Sequence, residues 1–306
     1  MPVDAGSDGQ RLDNFLLREL KGVPKTHVYR IIRSGEVRVN RGRASADTRL
    51  QAGDSVRVPP LRLPAPDHKP AAPARQFAVL LEDEHLLAID KPSGVAVHGG
   101  SGVSFGVIEQ LRQARPEAGF LELVHRLDRE TSGILLIAKR RSALVALQEQ
   151  FRDRETGKTY LALAAGAWPA RRKVIDVPLH KFLQTDGERR VRVVERGDPN
   201  GMRAISLVRV SRSLGRFSLL EVTIRTGRTH QIRVHLASQG HPIAGDDKYG
   251  DFALNREWQR EGLRRMFLHA WRLKFTHPAS GETVELASAL PPDLQSFLDH
   301  VASAPV

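Results

Sequence analysis

Apolar and polar positions divide the chain into a short basic segment, a proline-rich stretch and a long strand-rich remainder. Leu12, Phe15, Leu16 and Leu20 recur at the spacing that lines one face of a helix, and Lys21-Gly22 closes it. Pro24-Lys25-Thr26 opens a second helix with Val28, Ile31 and Ile32 as its buried stripe and Ser34-Gly35 as its stop. Val37-Arg38-Val39 and Ser55-Val56-Arg57-Val58 alternate apolar with basic, as half-exposed strands do, and Asn40-Arg41-Gly42-Arg43 is a turn. From Pro59 to Pro73 there are six prolines and almost no large apolar residue. That stretch cannot form a core and is expected to be an extended, semi-rigid linker.

Beyond it the pattern predicts strands at Phe77–Leu81, Leu86–Asp90, Ile134–Ala138 and Lys158–Leu163. Helices are expected over Phe105–Arg115 and Ser142–Phe151. The charged region from Val174 to Asn200 carries short strands such as Val191–Val194, and Ala204–Val210 pairs with Phe217–Ile224. Thr229 stands where it would cap a helix containing Ile232 and Leu236. Many short strands with few helices, no internal repeat and no heptads predict an α+β fold, a mixed and largely antiparallel sheet with peripheral helices.

Composition narrows the partners. With 306 residues and 41% hydrophobic content the chain can build two cores of unequal size. A net charge of +12, carried by arginines spread along the whole chain, favours a polyanion. Zero cysteines exclude thiol catalysis, disulfides and cysteine–zinc sites. The first residues show no signal-peptide pattern and no window approaches a membrane span, so a cytoplasmic protein with no membrane partner is expected. Arg30, Arg33, Arg38, Arg41 and Arg43 gather near the N terminus, either as a footprint for a phosphate backbone or as a solvated basic surface.

Chemistry concentrates at His125-Arg126-Leu127-Asp128-Arg129-Glu130-Thr131-Ser132-Gly133, a polar loop between apolar runs. Arg126, Arg129 and His125 around Asp128 would keep that carboxylate ionised. A plain surface ion pair gives the same pattern, and local physics alone favours it. His230, His235 and His241 invite a metal reading, but their spacing does not put two imidazoles on one helical face and no glutamate follows. No metal site is expected.

His-Arg-Leu-Asp-x-x-Thr-Ser-Gly matches the signature of the RluA-type pseudouridine synthases, and the chain is identified as resembling that family. The resemblance extends, in the family's order, through Lys91-Pro92-Ser93-Gly94, Lys158-x-Tyr160, Gly227 to His235, His241 to Asp246, Phe267 to Ala270 and Leu290-Pro291-Pro292. Ser206 stands where relatives are expected to carry threonine, which keeps the hydroxyl. Arg11-Leu12-Asp13-x-Phe15-Leu16, Gly35 to Asn40 and Ala52-Gly53-Asp54-x-Val56 resemble the small alpha-L RNA-binding domain of ribosomal proteins. The resemblance implies an RNA-binding domain over 1–58, a linker over 59–76 and a catalytic domain over 77–306.

It also implies an isomerase that cuts a uridine's N1–C1′ bond and rejoins the base through C5, which needs no cofactor. Asp128 becomes the catalytic carboxylate, acting as nucleophile, stabilising C1′ or removing a sugar proton. Arg233 is its expected cationic partner, with Arg228 next in line. Tyr160 stacks on the base and assists proton removal from C5, and Arg126 fills the space left by a flipped base. His125, His230 and Lys91 are further expected substrate contacts, and the five N-terminal arginines grip phosphate. The N-terminal stretch most resembles members acting on large-subunit (23S) ribosomal RNA, free or in an assembling subunit, and a monomer is expected. Alternatives are another rRNA or tRNA site, or a non-catalytic ribosome assembly factor.

Overall fold

In the computed structural model, which describes residues 1–20, 22–61, 72–100, 104–184 and 188–303, the N-terminal periodicity produces two amphipathic helices. α1 (Leu12–Glu19) buries Leu12, Phe15 and Leu16, and α2 (Lys25–Arg33) buries Val28, Ile31 and Ile32. β1 (Arg38–Val39), β2 (Gly42–Arg43) and β3 (Val56–Arg57) pair antiparallel in the order β2-β1-β3. Asn40 and Arg41 have φ of 48° and 67°, the left-handed pair that a tight hairpin requires. These elements share a core of their own with Val3, Val37, Leu50 and Val56.

Two compact units result, Met1–Ala72 with Pro116–Phe120, and Pro73–Arg115 with Leu121–Val306. Most of the expected proline linker, residues 62–71, lies outside the described residues.

The second unit runs β4 (Ala78–Glu82), β5 (Leu86–Lys91), α3 (Val107–Ala114), β6 (Glu122–Leu123), β7 (Ser132–Ala138), α4 (Arg141–Asp153) and β8 (Gly157–Ala165). There follow β9 (Val174–Asp176), β10 (Leu179–Leu183), β11 (Arg189–Val193), β12 (Ile205–Leu214), β13 (Phe217–Ile224) and α5 (Gln231–Ser238). The C-terminal part holds α6 (Phe252–Arg260), β14 (Leu268–Thr276), β15 (Thr283–Ala287) and α7 (Pro292–Ser303). Among the described residues a ten-stranded sheet has the order β4-β5-β7-β14-β8-β13-β12-β9, with β6 on β7 and β15 on β14. β10 and β11 form a separate antiparallel ribbon. The fold is α+β, with a mixed and mainly antiparallel sheet.

β7 is buried at every position because both its faces are covered, which is why its sequence reads as an unbroken apolar run. It meets β14 in the sheet's one parallel pairing among the described residues, through only Ser132↔His269 and Gly133↔Ala270. Gly133 has φ 111°, and a Cβ there would lie 2.3 Å from the Ala270 carbonyl oxygen. Only glycine permits that approach. On the other side of the joint, Leu163, Phe217, Leu220, Trp258, Phe297 and Leu298 pack into the main core, with Phe217 4.9 Å from Trp258 between ring centroids.

The pattern reading assigns no element after α5, where the structure has four. α6 buries only Trp258 and so shows no apolar stripe. β14 changes from continuous burial to alternation midway, because its two halves have different neighbours, β7 first and β15 later. Thr229 is not the cap of α5: the N-cap is His230, with no side-chain cap bond. Gln231 performs the closure instead, accepting from the Thr226 hydroxyl at 2.7 Å and the Arg228 N–H at 3.1 Å.

Candidate active site

The loop before β7 is held from below by the turn after β5. Lys91 is fully buried, and its ammonium donates to the carbonyls of Pro92 (2.8 Å), Val95 (2.8 Å) and Arg129 (3.1 Å). Gly94 N–H also donates to Arg129 O, and the Ser93 hydroxyl to Glu130 O. An ammonium has three donors and all three are spent here, so Lys91 offers none to a ligand. This corrects its expected place among the substrate contacts: it fixes the loop. Burial pulls its pKa down to about 7 against the opposing pull of Glu130 and Asp128.

His125 does not carry the charge expected of it. Its Nε2 accepts the Leu136 N–H at 3.1 Å, and its ring stacks on Phe151 at 4.8 Å. Burial, then Lys158, lowers its pKa to about 4, so it is neutral and cannot help keep Asp128 ionised. Arg129 also turns away, pairing with Glu130. The cation that does face Asp128 comes from α5: Arg233 Nη1 lies 3.9 Å from Asp128 Oδ2. Arg228, the other candidate, lines the cavity but spends its Nε on the Arg203 carbonyl.

Arg233 is itself anchored. Its Nε and Nη2 donate to the two oxygens of Asp246 at 2.8 and 2.7 Å, and Nη2 reaches Asp247 at 3.3 Å. Asp246 is fully buried and also accepts the Lys248 and Tyr249 N–H groups. A two-pronged pair of this kind fixes the guanidinium plane. Behind it, Gly245 has φ 77°, and a Cβ there would lie 2.3 Å from Arg265 O. The same helix end carries His230, whose Nε2 is 4.0 Å from Asp128 Oδ1.

These groups open onto a cavity of about 460 Å³, large enough for one nucleotide. Asp128 is the single carboxylate among the described residues lining it, against Arg126, Arg152, Arg154, Lys158, Arg225, Arg228 and Arg233. Tyr160 of β8 lines it too, and burial followed by the charge of Asp128 pushes its phenol pKa upward. It is a phenol at neutral pH, not a phenolate. Arg126 is exposed, and its side chain has no hydrogen bond or ion pair with a described residue. His235 and His241 serve protein partners instead of converging with His230: His235 bonds Ser206 and Val177 O, and His241 bonds Ala165 O.

Residues 85–238 match the family model for RNA pseudouridylate synthase, and residues 10–56 match the S4 domain. The chain is 51% identical over 304 residues to ribosomal large subunit pseudouridine synthase C of Pasteurella multocida, covering 97% of this chain and 92% of that one. This chain belongs to the RNA pseudouridine synthase family. The synthase is also 48% identical over 310 residues to the Escherichia coli K12 protein of the same name, covering 99% and 96%. Among solved structures, human RNA pseudouridylate synthase domain containing 4 superposes with a TM-score of 0.61 at 28% identity, over 73% of this chain and 92% of that one.

Sequence reasoning passed over two residues of the synthase's site. Asp246 lay in view, inside the His241–Asp246 signature, yet nothing local says that a carboxylate thirteen positions on anchors Arg233. Tyr249 lay just beyond it. Of the N-terminal arginines, Arg33 and Arg43 line a shallow groove with Tyr29, and Arg38 lies directly between Arg43 and Arg57 in the small sheet.

Proposed function

We propose that the synthase converts uridines of large-subunit (23S) ribosomal RNA to pseudouridine, with Asp128 acting at the glycosidic bond. The observation that carries this is a lone carboxylate set among seven cationic side chains, 3.9 Å from a guanidinium that is locked in place. The substrate assignment rests on the near full-length likeness to relatives named for the large ribosomal subunit. The cavity of about 460 Å³ is of the size of one nucleotide, and in this reading the target uridine is flipped out of its stack to enter it. Arg126, exposed at the rim and unpartnered, fills the space it vacates.

The N1–C1′ bond breaks and the C5–C1′ bond forms, while the C5 hydrogen passes to solvent and N1 gains a proton. Asp128 acts at the start as a nucleophile on the sugar or the base, as a stabiliser of positive charge at C1′ or as the base for a sugar proton, with the Arg233 guanidinium 3.9 Å away. Tyr160 holds the base by its ring face. Its phenol is held protonated by burial before substrate binds, and its expected assistance to loss of the C5 proton belongs to the late stage of the reaction. The N-terminal S4 domain supplies sequence-independent grip on phosphate. Rotation of a base within one pocket calls for no cofactor, and the reading includes a monomer working on ribosomal RNA in the cytoplasm.

The test uses 23S rRNA transcript carrying tritium at uridine C5. Wild type releases tritium to water, and Asp128→Ala binds the RNA with none released. Release by both proteins would remove Asp128 from the mechanism, and release by neither would remove this RNA as the substrate.

A further inference from the structure

Tyr249 touches two side chains of the pocket at once. Its ring lies 5.2 Å below the Arg233 guanidinium carbon, and its hydroxyl oxygen is 2.8 Å from His230 Nδ1. The same oxygen accepts the Val191 N–H at 3.0 Å. His230 has a left-handed backbone, φ 51°, at the start of α5, and its far nitrogen Nε2 stands 4.0 Å from Asp128 Oδ1.

A neutral imidazole carries hydrogen on one nitrogen and a lone pair on the other, and the bond made by one nitrogen decides the state of the other. If Nδ1–H donated to Tyr249, the phenolic hydrogen would have no acceptor among the described residues. The Nε2 lone pair would then face a carboxylate. If the phenol donates to Nδ1, both faults vanish: Val191 fills the acceptor side of the oxygen, and Nε2–H faces Asp128. Burial, the largest influence on His230, lowers its pKa and keeps the ring uncharged, with Asp128 pulling the other way.

We propose that Tyr249 is a positioning residue that fixes His230 as the Nε2–H tautomer, making His230 a neutral hydrogen-bond donor to the Asp128 carboxylate. The inference rests on Asp128 being the catalytic carboxylate. The 4.0 Å separation is too long for a hydrogen bond and is of the sort that tightens once substrate is seated. Asp128 then works between one fixed cation, Arg233, and one uncharged donor. A donor of that kind orients the carboxylate while blunting its reactivity less than a second cation would.

The first readout needs no substrate. Protein labelled with ¹⁵N-histidine, with the His230 signals assigned by their loss in His230→Gln, shows His230 protonated at Nε2 alone at neutral pH. Tyr249→Phe, which keeps the ring under Arg233, turns this into a tautomer mixture. The second readout is turnover. Tyr249→Phe lowers kcat about tenfold, the worth of the His230 hydrogen bond to the Asp128 carboxylate that then loses its fixed donor, with KM nearly unchanged. His230→Gln places an amide N–H near the Nε2 position and loses less activity than His230→Asn. Adding Tyr249→Phe to His230→Gln costs nothing more. The proposal is overturned by an Nδ1–H or imidazolium His230 in the wild-type spectrum, or by Tyr249→Phe costing the same tenfold in the His230→Gln background. Tritium release surviving in Asp128→Ala would instead sink the assignment of the carboxylate and leave the spectrum as it is.

Discussion

Arg233 and the arginines of the small N-terminal sheet put one side chain to opposite uses. Arg233 is 5% exposed and held by both oxygens of a buried aspartate. Arg38, by contrast, faces Arg43 on one side and Arg57 on the other, and none of the three has a carboxylate partner among the described residues. Like charges directly opposite in a sheet destabilise it, unless an anion settles between them. A pinned guanidinium has one geometry and suits chemistry. Unpinned guanidiniums have many geometries and suit a flexible polyanion whose sequence does not matter. The difference lies in the neighbours: a buried carboxylate in one place, solvent and more arginine in the other.

That contrast breaks most visibly at Arg233. Arg233→Lys keeps the charge but cannot fork onto Asp246, and tritium release should fall about a hundred- to a thousandfold with RNA affinity little changed. Asp246→Asn, which leaves Arg233 buried without its full counter-charge, should cost about 3 kcal/mol in urea unfolding. It should also slow turnover about a hundredfold by loosening the guanidinium. If Asp246→Asn turns over normally, the pinned state is not what Arg233 contributes.

At the other pole, Arg38→Ala with Arg41→Ala should raise KM severalfold and lower the slope of log affinity against log salt by about one per lost phosphate contact. Turnover at saturating RNA should hold. An unchanged slope would make this face a solvated surface with no part in RNA binding.

The smallest effect concerns His125, a half-buried base with no charge to offer. Its folded pKa of about 4 lies below the ordinary histidine value, so between those two points the unfolded chain binds more protons than the native one. Its contribution to stability is therefore full above that ordinary value and is lost as pH falls toward 4. Urea midpoints of wild type should drop more from pH ~7.5 to ~5 than those of His125→Gln. Equal drops would mean that burial beside Lys158 does not hold the His125 pKa down in the folded chain.

Most of the fold could be read from periodicity, because α1, α2, β5, β7 and β13 each bury a face or a whole strand and so carry a plain pattern. β14 could not, since its first half is buried against one neighbour and its second half alternates against another. That Asp128, Tyr160, Arg126 and Arg233 line one cavity was legible through motif resemblance. Their protonation and partners were not. His125 and Lys91 look cationic in a string of letters, yet burial neutralises one and a ring of carbonyls consumes the other. Asp246 reads as an ordinary turn residue, because only the folded chain brings it against Arg233.

The two-pair junction between β7 and β14 gives the sheet a seam. Asp128 stands on the β4-β5-β7 flank, and Tyr160, His230 and Arg233 belong to the other. The side chains that line the cavity therefore come from both sides of that seam. The 3.9 Å between carboxylate and guanidinium is thus a distance measured across the seam, set by how the two flanks meet and not by either flank alone.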